Sequence, residues 1–131
     1  MTKILGPWAP HLQSLLRVAA ALLLLQYGTA KILGFPHNPY FDHLQPFSLI
    51  WFAGLIELVA GILLVLGLFT RPAAFIVSGE MAFAYFIAHA PHNFFPQLNG
   101  GDHAVEACFV FLFLAAAGPG PISLDRRLKL A

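Results

Sequence analysis

A chain of 131 residues with 59% hydrophobic and only 10% charged side chains, and with positive mean hydropathy, cannot cover itself with polar surface as a soluble globule does. The net charge of +1 says nothing about nucleic acid, and no basic patch interleaved with aromatics exists to bind it, so no nucleic-acid partner is expected. The single cysteine, Cys108, excludes an internal disulfide and a CxxC redox pair, and one membrane domain over residues 1–131 is the expected organisation.

Met1–Pro10 reads as a short polar lead, with Trp8 as an interfacial anchor. A first span is predicted over 12–33, interrupted by Arg17, Gln26 and Lys31. A secretory signal is the competing reading of this stretch, with Val18–Leu25 as its apolar core and Gly28-Thr29-Ala30 as a small-residue cleavage site. Arg17 and Lys31 are fourteen positions apart and return to nearly the same helical face. Residues 34–47 hold three prolines, His37, His43 and Asp42, and form a loop.

The second span, 48–69, is the most apolar stretch, and its length matches about 30 Å of hydrocarbon. Gly54, Glu57 and Gly61 share one face, so the carboxylate sits between two smooth patches that invite a neighbouring helix. Phe69-Thr70-Arg71-Pro72 is expected as a tight turn, with Pro72 at the first position of a third span over 72–90. That span carries Glu80 near its middle and Ser78, Tyr85 and His89 along one stripe. After a Phe, Pro and Asn-rich loop, Asp102 is expected to cap a fourth span over 102–118, which Gly118-Pro119-Gly120-Pro121 stops. The expected fold is an all-α transmembrane four-helix bundle. Counting cations places both termini in the cytoplasm, because Lys3, Arg17, Arg71, Arg126, Arg127 and Lys129 collect on one side against Lys31 on the other.

Ionisable groups inside such a bundle must pair, become neutral or serve a purpose. Counting rises puts Glu80 about 12 Å from one surface and Glu57 about 13 Å from the other. Arg17 is expected to reach Glu80, and Lys31 to meet Glu57 or Glu106. The bland reading is buried pairs, or protonated carboxyls, that fix helix register. The functional reading is a polar pocket that binds a head group or moves protons. Its candidate proton-exchanging residues are Glu57, Glu80 and His89, and its candidate ligand-binding residues are Arg17, Glu57, Tyr85 and His89. No metal is assigned. His103 and Glu106, with His89 and His92 across the loop, are the candidates, on a spacing that recurs by chance. Every histidine falls near a surface, so tightly bound haem is not expected.

The run from Gly54 to Phe86, GLIELVAGILLVLGLFTRPAAFIVSGEMAFAYF, followed by Asn99-Gly100-Gly101-Asp102 and the Gly118–Asp125 ending, resembles the DoxX family of small four-span bacterial membrane proteins. The family's NGG is typically followed by Glu, where this chain has the shorter Asp102. The resemblance implies a bacterial inner-membrane component linked to redox systems. The family's name comes from a subunit associated with thiosulfate oxidation to a quinone acceptor, and relatives are described as partners of oxidative-stress enzymes. Two functional expectations follow. One is a quinone-interacting or proton-handling subunit that takes its electrons from a redox partner protein. The other is a non-catalytic scaffold whose external loops dock another protein. Self-association is compatible with both.

Overall fold

Proline and glycine punctuation cuts the chain into four long helices, and the computed structural model describes all 131 residues, with no strand among them. The lead is helical rather than irregular. Thr2–Leu5 and a 3-10 turn at Gly6–Trp8 run directly into α1, Ala9–Leu33. Pro7 and Pro10 fall in the first turns of their segments, where a missing N–H costs nothing, so they begin helix instead of ending it. Helix α2, Leu49–Leu66, starts under Ser48, whose hydroxyl accepts from the Trp51 N–H at 3.3 Å. Helix α3, Thr70–Ala84, continues through a wider π turn at Tyr85–His89, and α4 is Asp102–Ala117.

Two expected helix starts are corrected. Pro72 is the third residue of α3, because the Asp125 carboxylate accepts from the Phe69 and Thr70 N–H groups at 2.7 and 2.9 Å and so caps the helix two residues earlier. Asp102 is the first residue of α4 rather than its cap. The preceding position is Gly101, whose N–H is taken by the Asn99 side chain at 2.8 Å.

Helices α1 and α2 pack along their lengths, as do α3 and α4. Contacts between α2 and α3 join the two pairs, and α1 barely meets α4. Small residues set these distances. A Cβ on Gly28 would lie 2.5 Å from the Leu58 backbone nitrogen, so here α1 and α2 touch main chain to main chain. Ala21, Leu24, Leu64, Val77, Phe111 and Leu114 fill the interior. Only 27 of 131 residues are buried, and Phe75, Phe83, Phe86 and Phe109 stand outward on the helices, each 64% exposed or more. Apolar surface on that scale is what lipid covers. Three helical stretches, Thr2–Leu33, Leu49–Leu66 and Thr70–His89, are long and apolar enough to cross a membrane, while α4 has 16 residues.

Candidate functional site

The polar groups within the helices gather at two levels. At the end carrying the termini, the buried Arg17 guanidinium spends its donors on main chain. Nε donates to the Leu64 carbonyl at 2.9 Å, Nη2 to that of Ile122 at 2.8 Å, and Nη1 to that of Pro119. Gln13 donates to Gly118 at 2.7 Å, and the Ser14 hydroxyl accepts from the Ile122 N–H at 3.1 Å. Together they fasten the segment after α4 against α1. The chain leaves α2 through Gly67, whose φ of 69° is left-handed and whose missing side chain makes room for Ser123 and the Arg17 guanidinium.

The expected Arg17–Glu80 pair is therefore not formed. Three carbonyls converge on the guanidinium, one on each of its nitrogens, and both Glu80 carboxyl oxygens are buried with no hydrogen-bond partner. Apart from the Thr70 hydroxyl, they are the buried side-chain oxygens left in that state.

The second level lies toward the other end. Lys31 Nζ donates to both Glu57 oxygens, at 2.9 and 2.8 Å, with the two side chains 11% and 4% exposed. Gly54 makes this possible, because any side chain there would strike the Lys31 stem 2.6 Å away. The ammonium also lies 5.4 Å from the Phe41 ring centroid and 5.9 Å from that of Tyr27. His103 stacks on the same Tyr27 ring, with centroids 5.0 Å apart.

The π turn builds a third set of contacts. Tyr85 donates its hydroxyl proton to the Phe94 carbonyl, and Asn99 Nδ2 donates to the Tyr85 oxygen at 3.3 Å and to the Asn93 carbonyl at 2.6 Å. His89 Nδ1 lies 3.1 Å from the Asn99 carbonyl, and a carbonyl can only accept, so Nδ1 is the donor in that bond. The histidines that the sequence grouped as metal candidates do not converge. His89 Nδ1 meets the Asn99 carbonyl of the loop, and His103 stacks on Tyr27. No three His, Cys, Asp or Glu side chains are placed to hold an ion, so the candidate set with Glu106 is not assembled.

Asp125 and the carbonyls of 119–122 have structural roles that residue-type reasoning missed. The available signal was the Gly118–Asp125 ending, distinctive in sequence but without side chains that announce carbonyl acceptors.

Apolar helix exteriors around charged groups held inward at two levels define a multi-pass, all-helical membrane protein. The DoxX family profile matches residues 12–90, and the chain belongs to that family. It is 41% identical over 129 residues to an uncharacterized protein of Haemophilus influenzae, covering 94% of this chain and 95% of the relative. It is 32% identical over 134 residues to the inner membrane protein YphA of Escherichia coli, covering 93% and 94%. No solved structure matches it.

Proposed function

We propose that this protein is a single-domain subunit of the bacterial inner membrane that crosses the bilayer four times with both termini cytoplasmic, and that it handles protons for a membrane redox system using quinone. Several observations support the crossing of α4 despite its 16 residues. His103 near its start stacks on Tyr27, and Gly118 just past its end accepts from Gln13, so α4 runs the same depth as α1. With four crossings, six of the seven cations lie on the termini side and Lys31 alone lies opposite. A relative named as an inner membrane protein fits that location.

One observation carries the functional reading: both Glu80 carboxyl oxygens are buried and unpartnered inside the helices, in a bundle whose other mid-helix carboxyl, Glu57, is held by Lys31. A protein seeking stability alone does best with an apolar side chain there, because an unpaired acid inside a bundle costs several kcal/mol unless it holds a proton. Glu57 and Glu80 are the proton-exchanging groups. His89, with Nε2 free, and Tyr85 form the contact point for a quinone head group at the loop end, and electrons pass to a partner protein. Arg17 donates from all three of its nitrogens to main-chain carbonyls and serves by holding the termini end closed.

The test is purification from native membranes with mass spectrometry of bound quinone, followed by quinone titration of the reconstituted protein through its tryptophan fluorescence. Glu57→Gln and His89→Ala are expected to abolish the quinone-dependent signal while leaving the helical circular dichroism intact. Undiminished binding in both variants refutes the reading.

The second reading, a non-catalytic scaffold, draws on the interior and the loops. Leu24, Leu64, Val77 and Phe111 fill the core, while Phe94, Phe95 and Leu98 stand 63% exposed or more on the loop before α4. A partner protein recovered from the same purification only while that loop is intact, with no quinone present, favours the scaffold.

A further inference from the structure

Arg71, the second residue of α3, reaches across to the end of α4. Its Nη1 donates to the Ala115 carbonyl at 3.2 Å and to that of Ala116. Both carbonyls belong to the last turn of α4, where they have no partner within the helix and a cation is well placed. The hydrogen bonds of this guanidinium end there. Nε and Nη2, the two nitrogens that grip an oxyanion side by side, bond to nothing in the protein. Gly118 keeps the space beside them clear, since a Cβ there would lie 3.0 Å from Nη2, 3.2 Å from Cζ and 3.5 Å from Nε. The guanidinium is thus anchored through one nitrogen and open at the other two.

Arg71 also lines a cavity of about 170 Å³ at the end carrying the termini, with Phe69, Thr70, Pro119, Asp125 and Leu130 among its walls. Thr70 is fully buried, and its hydroxyl has no hydrogen-bond partner. Asp125 is the one acid at this end, and its carboxylate is taken by the Phe69 and Thr70 N–H groups. Against it stand Arg71, Lys3, Arg126, Arg127 and Lys129, all exposed, while Arg17 is buried on its carbonyls. That excess of positive charge favours an anion over a neutral or zwitterionic guest. The walls at Phe69 and Leu130, 53% and 55% exposed, are apolar, so an inorganic anion would leave them in water where a lipid covers them.

We propose that this cavity seats the phosphate of an anionic phospholipid from the leaflet on the side of the termini. Nε and Nη2 of Arg71 donate side by side to two phosphate oxygens, the Thr70 hydroxyl donates to a third, and the lipid's first carbons lie against Phe69 and Leu130. Asp125 stays with the N–H groups of α3. Because the same guanidinium holds the last carbonyls of α4, a bound lipid fixes the end of this 16-residue helix at the level of the headgroups. The site is separate from the residues assigned to quinone and protons, and it requires only that α3 begins at a membrane surface.

The experiment is native mass spectrometry of the full chain from mixed micelles holding phosphatidylglycerol and phosphatidylethanolamine in equal amounts, with melting curves over a phosphatidylglycerol titration to give the affinity. The wild type is expected to retain phosphatidylglycerol in preference to phosphatidylethanolamine. Arg71→Gln and Thr70→Val are each expected to weaken the affinity, Arg71→Gln by about tenfold or more, the equivalent of one hydrogen bond to a charged group. Lys3→Gln removes a cation from the same end but not from the cavity wall, and is expected to leave the affinity unchanged. Undiminished affinity in Arg71→Gln or Thr70→Val overturns the proposed contacts. Equal weakening in Arg71→Gln and Lys3→Gln reveals diffuse attraction to a charged surface and overturns the site, as does equal retention of the two lipids by the wild type. Inorganic phosphate is titrated separately without lipid. A melting shift as large as that given by phosphatidylglycerol assigns a free oxyanion and overturns the lipid. Should Arg71→Gln fail to fold, Arg71→Lys takes its place with the same expected loss, because lysine keeps the charge and the contact with α4 but lacks the paired donors.

Discussion

Asp125→Ala tests the way the end of the chain governs the start of α3. The Asp125 side chain is 4% exposed overall as a residue and accepts from the Phe69 and Thr70 N–H groups at 2.7 and 2.9 Å. Both donors belong to the unsatisfied first turn of a helix, and Thr70 is fully buried, so water does not easily replace the carboxylate. Hydrogen bonds to a charged group contribute about 1.5 kcal/mol each at the lower end of their range, so losing both is expected to cost about 3 kcal/mol. Asp125→Asn keeps one carbonyl acceptor without the charge and is expected to cost about half as much. The measurement is reversible denaturation in mixed micelles followed by circular dichroism, with wild type and both variants under one lipid composition. A loss below about 0.5 kcal/mol in Asp125→Ala, the range of ordinary surface substitutions, refutes a capping role.

The packing between helices yields a paired expectation. Gly28→Ala drives a Cβ to 2.5 Å from the Leu58 nitrogen and is expected to lower stability by about 1–3 kcal/mol, whereas Gly79→Ala meets nothing within 4 Å and is expected to raise it by up to about 1 kcal/mol. Equal effects of the two in the same micelle titration contradict the main-chain contact between α1 and α2. Glu80→Met removes a buried acid without a partner and leaves Arg17 undisturbed, so thermal stability in detergent is expected to hold or rise by about 1 kcal/mol. A marked fall shows that Glu80 has a structural partner.

The long helices were legible because runs of apolar residues between proline and glycine breaks mark them. Leu49–Leu66 and Asp102–Ala117 start and stop within three residues of the expected bounds. The face formed by Gly54, Glu57 and Gly61 was readable from helical spacing, and the structure seats Lys31 on it. Arg17 defeated the same reasoning for a definite cause. Matching charges looks for a carboxylate, while the groups that satisfy this guanidinium are carbonyls of Leu64, Pro119 and Ile122, which any residue type would supply. The π turn at Tyr85–His89 was equally hidden. It depends on hydrogen bonds to the loop at Asn93–Asn99, and no residue within the helix marks it.

Arg17 also bears on the order in which the molecule comes together. It leaves the ribosome about a hundred residues before the Pro119 and Ile122 oxygens to which it donates. Until then the first helix carries a guanidinium that lacks two of its three carbonyl acceptors, so the segment after α4 is the latch that closes on α1.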